Sequence, residues 1–288
     1  MTNTQFKLST AHGALAISDT GGSGVPLVLL HGSGASGEVF RSQFQSPLAN
    51  HFRMIAIDLP GHGGSDRFSD PAQTYALPEV ARSISGLFPR LGIDRAVVMG
   101  WSLGGHIAIE MMASAPDQLA GVMIAGTPPI DTGPLSSLRA FHLNPTILLV
   151  SKSRLSHTDA EKIARMCYGD QASAEHVKTI LATDPAMRLR ITRSLLKADG
   201  ANQKATVETS PIPLAVVHGE TDPAVRTSFL NNLSYANLWE GKVHVIKGVG
   251  HAPFMAAPNS FNALLHRFAT EVSITHPARD KSAVARRA

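Results

Sequence analysis

Composition and charge place the chain among ordinary globular proteins. It has 288 residues, of which 43% are hydrophobic and 17% charged, and this balance excludes a fibrous or wholly disordered chain. The formal net charge of +4 does not indicate nucleic-acid binding, because much of the excess lies in residues 279–287 of a polar C-terminal tail. We expect this tail, residues 273–288, to be disordered.

The sequence also bears on the compartment of the protein. Its single cysteine, Cys167, excludes an intrachain disulfide and favours a reducing environment. No apolar run approaches the roughly 18 residues of a transmembrane helix, and the first residues lack the basic and apolar regions of a signal peptide. We therefore expect a cytoplasmic protein, in which Cys167 is a buried small apolar residue rather than a nucleophile.

Strands and helices alternate along most of the chain. The predicted elements are, in order, strands 5–8, 14–19 and 26–31, helix 38–45, strand 54–57, helix 78–91, strand 96–99, helix 103–114, strands 215–217 and 243–246, and helix 260–272. This alternation is typical of parallel βαβ units. It predicts an α/β fold with a mostly parallel, doubly wound sheet.

Residues 129–210 interrupt this rhythm and are predicted to form a helical cap. Three helical patterns, over 160–167, 177–181 and 187–196, fall between proline-containing stretches at 128–129 and 211–213 that would stiffen its entry and exit. The core would then comprise residues 1–128 and 211–272. Met166 and Tyr168 are candidates to face a substrate, although their helical spacing favours packing within the cap.

Residues 99–105, which read MGWSLGG, contain the strongest chemical signal in the chain. The pattern Gly-x-Ser-x-Gly follows an apolar strand and opens a helix, as a nucleophile elbow requires. Gly100 and Gly104 would provide the close approach that so tight a turn demands. Ser102 is therefore the predicted nucleophile.

The partners of such a serine follow in the order expected for this kind of hydrolase. A serine hydroxyl needs an imidazole to take its proton, and the imidazole needs a carboxylate to orient it. His251 lies in a glycine-rich loop just after a strand. Asp222 and Glu220 both follow an earlier strand, and the local sequence Gly-x-x-Asp-Pro favours Asp222 as the acid over Glu220.

A second loop predicts the oxyanion hole. Residues 31–34, which read HGSG, follow the apolar strand 26–31. Acyl transfer places negative charge on a carbonyl oxygen, which two backbone N–H groups stabilise. We expect these donors to be the N–H groups of Ser33 and Leu103. His31, and His62 in the glycine-rich loop 58–65, are interpreted as structural rather than catalytic residues.

These motifs together resemble the α/β-hydrolase superfamily. A narrower similarity rests on four segments: GWSLGGHI at 100–107, GTPP at 126–129, NLWEGK at 237–242 and GHAPF at 250–254. These segments are similar to the metal-independent N-acyl-homoserine lactone lactonases of that superfamily. Those relatives carry Asn at the position of Ser33 and Glu at that of Asp222. The acid replacement preserves the role, whereas the change at Ser33 bears on substrate range.

The resemblance implies a serine hydrolase that opens the lactone ring of a small-molecule substrate, with no cofactor and no metal. It also implies an apolar pocket for the acyl chain, for which the candidate lining residues are Gly32, Trp101, Phe40 and Phe254. For the three aromatic residues, packing in the core is an equal alternative. A general carboxylesterase, a cofactor-free perhydrolase or haloperoxidase, and a ligand-binding receptor remain open alternatives, because one fold supports many functions.

Overall fold

One sheet organises the part of the chain that the structure describes, which in this computed structural model is residues 3–131, 134–197 and 199–275. Its strands are β1 (Thr4–Ser9), β2 (Ala14–Asp19), β3 (Val25–Leu30), β4 (Phe52–Ile57), β5 (Ala96–Trp101), β6 (Leu119–Ala125), β7 (Leu214–Gly219) and β8 (His244–Ile246). Their order across the sheet is β1-β2-β4-β3-β5-β6-β7-β8. The pairs β1–β2 and β2–β4 are antiparallel, and every other neighbouring pair is parallel. The predicted fold class is confirmed.

The helices lie on both faces of this sheet and in the connection between β6 and β7. They are α1 (Arg41–Phe44), α2 (Leu48–His51), α3 (Pro71–Thr74), α4 (Leu77–Ser85), α5 (Leu103–Ser114), α6 (Pro134–Ala140), α7 (Pro145–Leu149), α8 (His157–Tyr168), α9 (Ala174–Ala182), α10 (Pro185–Lys197), α11 (Gln203–Thr209), α12 (Thr227–Asn231), α13 (Pro253–Ala256) and α14 (Pro258–Thr275). The predicted helix over 103–114 coincides with α5.

The helix predicted over 78–91 is shorter than expected. α4 ends at Ser85, and a separate 3₁₀ turn covers Pro89–Leu91. Gly86 weakens the helix, and Pro89 cannot donate a backbone hydrogen bond to continue it. The apolar periodicity therefore extended beyond the residues that can form a single helix.

Alternating side chains of the central strands build two apolar layers. On β3, Leu27 and Leu29 belong to the cluster that includes Phe268 of α14. Val28 and Leu30 belong to the opposite cluster. All four are fully buried, because successive side chains of a strand point to opposite faces of the sheet. Each such burial contributes about 1.5–3 kcal/mol to stability before entropic costs.

The segment predicted as a cap contains α6 to α11. In α8, Ala160, Ile163, Ala164 and Cys167 are buried at helical spacing. They join the same apolar cluster as Trp101 at the end of β5. The apolar face of α8 therefore packs towards the end of the sheet at which the elbow lies.

The C-terminal helix extends further than expected. α14 continues to Thr275, whereas the predicted helix ended at residue 272. Residues 276–288 of the predicted tail lie outside the described residues. Among the residues that are described, no helix is both long and apolar enough to cross a membrane.

Candidate active site

The turn that carries Ser102 consists of that residue alone. β5 ends at Trp101 and α5 begins at Leu103. Ser102 adopts φ 52° and ψ −113°, a conformation that costs an L-residue roughly 1–3 kcal/mol. The turn is held by hydrogen bonds from Ser102 N–H to the carbonyl of Ala125 (2.9 Å) and from Gly105 N–H to the carbonyl of Ser102 (3.0 Å). Ser102 itself is partly exposed.

Small residues around the turn are required by the close approach of backbone segments. A Cβ atom on Gly100 would overlap the backbone of Gly104, and one on Gly104 would overlap the carbonyl of Leu30. A Cβ on Gly105, which the motif does not specify, would overlap the side chain of Thr127. The strand, the turn and the helix can therefore pack this closely only with glycine at these positions.

The structure brings His251 and Asp222 together. His251 Nδ1 lies 2.9 Å from Asp222 Oδ2, and the other oxygen, Oδ1, accepts hydrogen bonds from the N–H groups of Ala224 (2.8 Å) and Val225 (3.1 Å). Burial acts to raise the pKa of Asp222. The attraction and hydrogen bond of His251, together with His218 and the backbone donor Ala224, outweigh it, so the pKa lies below its usual value. Asp222 is thus arranged as a charged acceptor for the imidazole.

Glu220, the other candidate acid, has a different contact. Its side chain is exposed, and Oε2 accepts a hydrogen bond from the N–H of Gly248 at 3.0 Å. Gly248 begins the loop that carries His251. The geometry therefore places Asp222 at the imidazole and Glu220 at the start of the histidine loop.

Two glycines to which the sequence assigned no role shape the site of His251. Gly126 has φ 56°, and a Cβ there would lie 3.0 Å from His251 Nδ1. A Cβ on Gly219 would overlap the carbonyl of Gly250. Gly126 directly follows the apolar strand β6, and Gly219 ends the apolar strand β7. A glycine at the end of an apolar strand is the sequence signal that could have identified them. Trp101 Nε1 donates a hydrogen bond to the carbonyl of His251 (2.8 Å) and links this loop to the elbow.

The predicted oxyanion donors lack hydrogen-bond partners within the described part of the chain. Among the described residues, neither the N–H of Ser33 nor that of Leu103 has a hydrogen-bond acceptor. Leu103 is the first residue of α5, where backbone N–H groups lack partners within the helix. Ser33 is half-buried in the loop after β3. Both groups are therefore available to a developing negative charge.

The two histidines interpreted as structural are buried and uncharged. His31 Nε2 accepts a hydrogen bond from the N–H of Leu59 (2.9 Å), which leaves the proton on Nδ1 to donate to the carbonyl of Gly32 (2.8 Å). Burial lowers the pKa of His31 to about 4. Burial, reinforced by the neighbouring His31, lowers the pKa of His62 to about 3. Both rings hydrogen-bond the backbone of the loops in which they lie or which they contact.

The predicted substrate-binding residues form a packed cluster beside the site. Trp101, Phe40 and Phe254 are fully buried, with ring centroids 5.1 Å apart for Phe40–Phe254 and 5.2 Å for Trp101–Phe254. A Cβ on Gly32 would lie 2.9 Å from the Trp101 ring. The ring of Tyr168, from the cap segment, lies 5.6 Å from Trp101. The structure shows these residues packed against one another. Their contact with a substrate stays a prediction.

The other cap residues singled out from the sequence differ in burial. Cys167 is buried, and burial raises the pKa of its thiol to about 12, as expected for an unreactive cysteine. Met166 is partly buried against the same cluster. Tyr168 stacks on His176 with ring centroids 4.0 Å apart.

Comparison with known proteins identifies the family. The profile of the alpha/beta hydrolase family matches residues 27–264. The chain belongs to this family. Two curated relatives are pimeloyl-[acyl-carrier protein] methyl ester esterases. That of Yersinia pseudotuberculosis is 27% identical over 85% of this chain and 93% of its own length. That of Xanthomonas campestris is 28% identical over 87% and 97%.

Solved structures give a closer match. N-acyl homoserine lactonase AidH, complexed with N-hexanoyl homoserine, is 38% identical and superposes with a TM-score of 0.90 over 94% of this chain and 98% of that one. The protein described here is thus similar to a lactonase of the kind that its sequence indicated. Carboxylesterase CesB from Bacillus subtilis, 19% identical with a TM-score of 0.73 over 93% and 92%, shares the fold. Family and relatives together support a hydrolase of the esterase kind.

Proposed function

We propose that this protein opens the lactone ring of N-acyl-homoserine lactones, with Ser102, His251 and Asp222 as its catalytic triad. The observation that carries the proposal is the near-complete match to AidH, at 38% identity and a TM-score of 0.90. The strained elbow at Ser102 and the hydrogen bond between His251 and Asp222 support the acyl-transfer chemistry.

The reaction proceeds in two halves. Ser102 Oγ attacks the lactone carbonyl while His251 takes its proton, and the resulting oxyanion is stabilised by the N–H groups of Ser33 and Leu103. Collapse breaks the bond to the ring oxygen, which receives the proton from His251 and becomes the alcohol of the homoserine part. Water, deprotonated by His251, then attacks the acyl-enzyme and releases the ring-opened acid.

The acyl chain would lie in the apolar region between core and cap segment. Trp101 directly precedes Ser102, and Tyr168 from α8 packs against its ring. Ile180 of α9 lies against Gly34 in the oxyanion loop, where a Cβ would be 3.1 Å from its side chain. Side chains of the cap segment thus pack against the residue before the nucleophile and against the oxyanion loop, which suits a substrate with an aliphatic tail.

A second candidate function is hydrolysis of acyclic carboxylic esters. It is favoured by the curated relatives, which are named as methyl ester esterases and match 85–87% of this chain. The same triad would attack either an ester or a lactone, since both present an acyl carbonyl and an alkoxide leaving group.

Mass spectrometry of reaction products separates the two functions. N-acyl-homoserine lactones of several chain lengths are incubated at neutral pH with the wild type, with Ser102→Ala and with buffer alone. Methyl esters of fatty acids and p-nitrophenyl acetate are tested in parallel. The lactonase proposal predicts a gain of one water with the amide intact, faster than in buffer and lost in the variant.

The two negative results have different meanings. Hydrolysis of the simple esters without any gain over buffer for the lactones would contradict the lactonase proposal and leave the triad in place. Lactone opening that persists in a folded Ser102→Ala protein would contradict the triad itself.

A further inference from the structure

A second imidazole faces the carboxylate of the candidate triad. His218 lies on β7, four residues before Asp222, and its side chain is fully buried. Its Nδ1 is 3.6 Å from Asp222 Oδ2. This is the same oxygen that lies 2.9 Å from His251 Nδ1. Two histidine rings therefore lie near the same carboxylate oxygen.

The ring of His218 lacks a well-formed hydrogen bond within the described part of the chain, and the backbone of Val225 is a further, weaker polar neighbour. Neither Nδ1 nor Nε2 makes a hydrogen bond with any residue in the described part of the chain, although buried ring nitrogens usually do. At 3.6 Å the contact with Asp222 is too long for a hydrogen bond, so it acts as an ion–dipole interaction. The ring proton is assigned to Nδ1, because a lone pair at that position would be repelled by the carboxylate.

Burial favours the neutral form of His218. It lowers the pKa of His218, the carboxylate of Asp222 and the backbone of Val225 oppose this effect, and His251 and His142 add to it, with a net decrease. His142 lies in the segment between α6 and α7. Its backbone N–H donates a hydrogen bond to the carbonyl of Ala224 (2.8 Å). In α8, the Cys167 thiol is uncharged, because burial, and then the charge of Asp222, raise its pKa to about 12.

We propose that His218 is a positioning residue for acyl transfer, whose Nδ1–H dipole takes up part of the charge on Asp222 Oδ2. The inference rests on the proposed function, because it concerns the base of the same triad. Because part of its charge is compensated by His218, Asp222 stabilises the protonated form of His251 less than an uncompensated carboxylate would. The base must offer a free nitrogen to Ser102, so removal of the His218 dipole should confine activity to higher pH.

Three substitutions isolate this dipole. His218→Asn places an amide N–H close to the position of Nδ1 and cannot titrate. His218→Gln carries its amide further out, near the position of Nε2, and His218→Leu has no donor. We expect the acid limb of kcat/KM against pH to move upward by about 0.5–1 pH unit in the Leu and Gln variants. The Asn variant should remain close to the wild type.

NMR of ¹⁵N-labelled histidines provides a readout that needs no substrate. The pH midpoint of the His251 ring titration should move upward in the Leu and Gln variants and not in the Asn variant. If His218→Leu does not fold, as judged by circular dichroism, the comparison of Asn with Gln carries the test.

The outcomes separate this inference from the proposed function. Unchanged midpoints in folded variants, or equal shifts in the Asn, Gln and Leu variants, would overturn the role of the dipole. A wild type that hydrolyses neither lactones nor esters would overturn the proposed function. In that case the NMR titration still decides whether His218 controls the protonation of His251.

Discussion

Ser102 is held by its neighbours in a backbone conformation that an isolated residue would avoid. Its φ of 52° is one of three positive values among the non-glycine residues that the structure describes. Hydrogen bonds to Ala125 and Gly105 and the packing of three glycines around it maintain this conformation. The conformation places the side chain at the N-terminus of α5, next to a free backbone N–H, where a nucleophile is needed.

Two substitutions at this position separate strain from chemistry. Ser102→Ala and Ser102→Gly should both lower kcat by about 10⁴-fold or more, because each removes the nucleophile. The glycine variant should be more stable than the alanine variant by about 1 kcal/mol, since glycine tolerates a positive φ. Steady-state kinetics and urea unfolding measure the two effects. Equal unfolding free energies would show that the elbow is not strained.

The acid assignment can be tested with a matched pair of amide substitutions. Asp222→Asn should lower kcat by roughly 10³–10⁴-fold, because an amide can neither orient His251 correctly nor stabilise its charged form. Glu220→Gln should change kcat by less than about threefold, because a glutamine oxygen can still accept from Gly248. The assignment to Asp222 is wrong if the Gln variant is the more damaged of the two.

At the scale of elements, the junction of α9 and α10 joins the cap segment to the core. The N–H of Asp184 donates to the carbonyl of Gly61 (2.8 Å), and its Oδ2 accepts from the hydroxyl of Tyr75 (2.7 Å). The Tyr75 oxygen in turn accepts from the N–H of Phe68 (2.9 Å). All of these groups are buried, so the loss of one partner leaves another unsatisfied.

Loss of the Tyr75 hydroxyl should therefore loosen the cap segment. Tyr75→Phe leaves Asp184 and the Phe68 N–H without this partner and should lower the free energy of unfolding by about 1–3 kcal/mol. Cleavage by a protease within residues 134–197 should accelerate.

The matched control is Tyr235→Phe, which removes a tyrosine hydroxyl that donates to the carbonyl of Leu230 (3.0 Å) in the core. Equal acceleration of cap cleavage in both variants would contradict a specific link between Tyr75 and the cap segment.

At the scale of the whole molecule, several histidines are buried without charge. Burial lowers the pKa of His106 to about 4, as it does for His31, while the pKa of His62 is about 3. These values lie below the ordinary value of 6.5. The unfolded chain therefore binds more protons than the folded chain as the pH falls through 6.5.

Stability should accordingly decrease in mild acid. The contribution of each neutral histidine is fully present above pH 6.5 and is lost as the pH falls towards its folded pKa. Between pH 7 and 5 the loss is at most about 2 kcal/mol per histidine. Urea unfolding at a series of pH values measures this slope. His106→Asn, which can still donate to Gln203, should make the slope shallower, and an unchanged slope would exclude His106 as a contributor.

The sequence by itself determined the fold class and the positions of the loops that carry the candidate catalytic residues. The elbow around Ser102 could be predicted because strand, turn and helix depend on residues within about ten positions of each other. The bounds of α5 followed for the same reason. The order of the candidate serine, acid and histidine along the chain was equally legible, since each lies in a loop that directly follows an apolar strand.

Only the tertiary structure decided which side chains meet. Asp222 and Glu220 are two residues apart, and local spacing could favour but not settle which one contacts His251, 29 residues further on. The shared oxygen of His218 and His251, the clearance at Gly126 and the packing of Tyr168 on Trp101 likewise join distant parts of the chain. Such contacts depend on how whole elements pack, which local propensity does not encode.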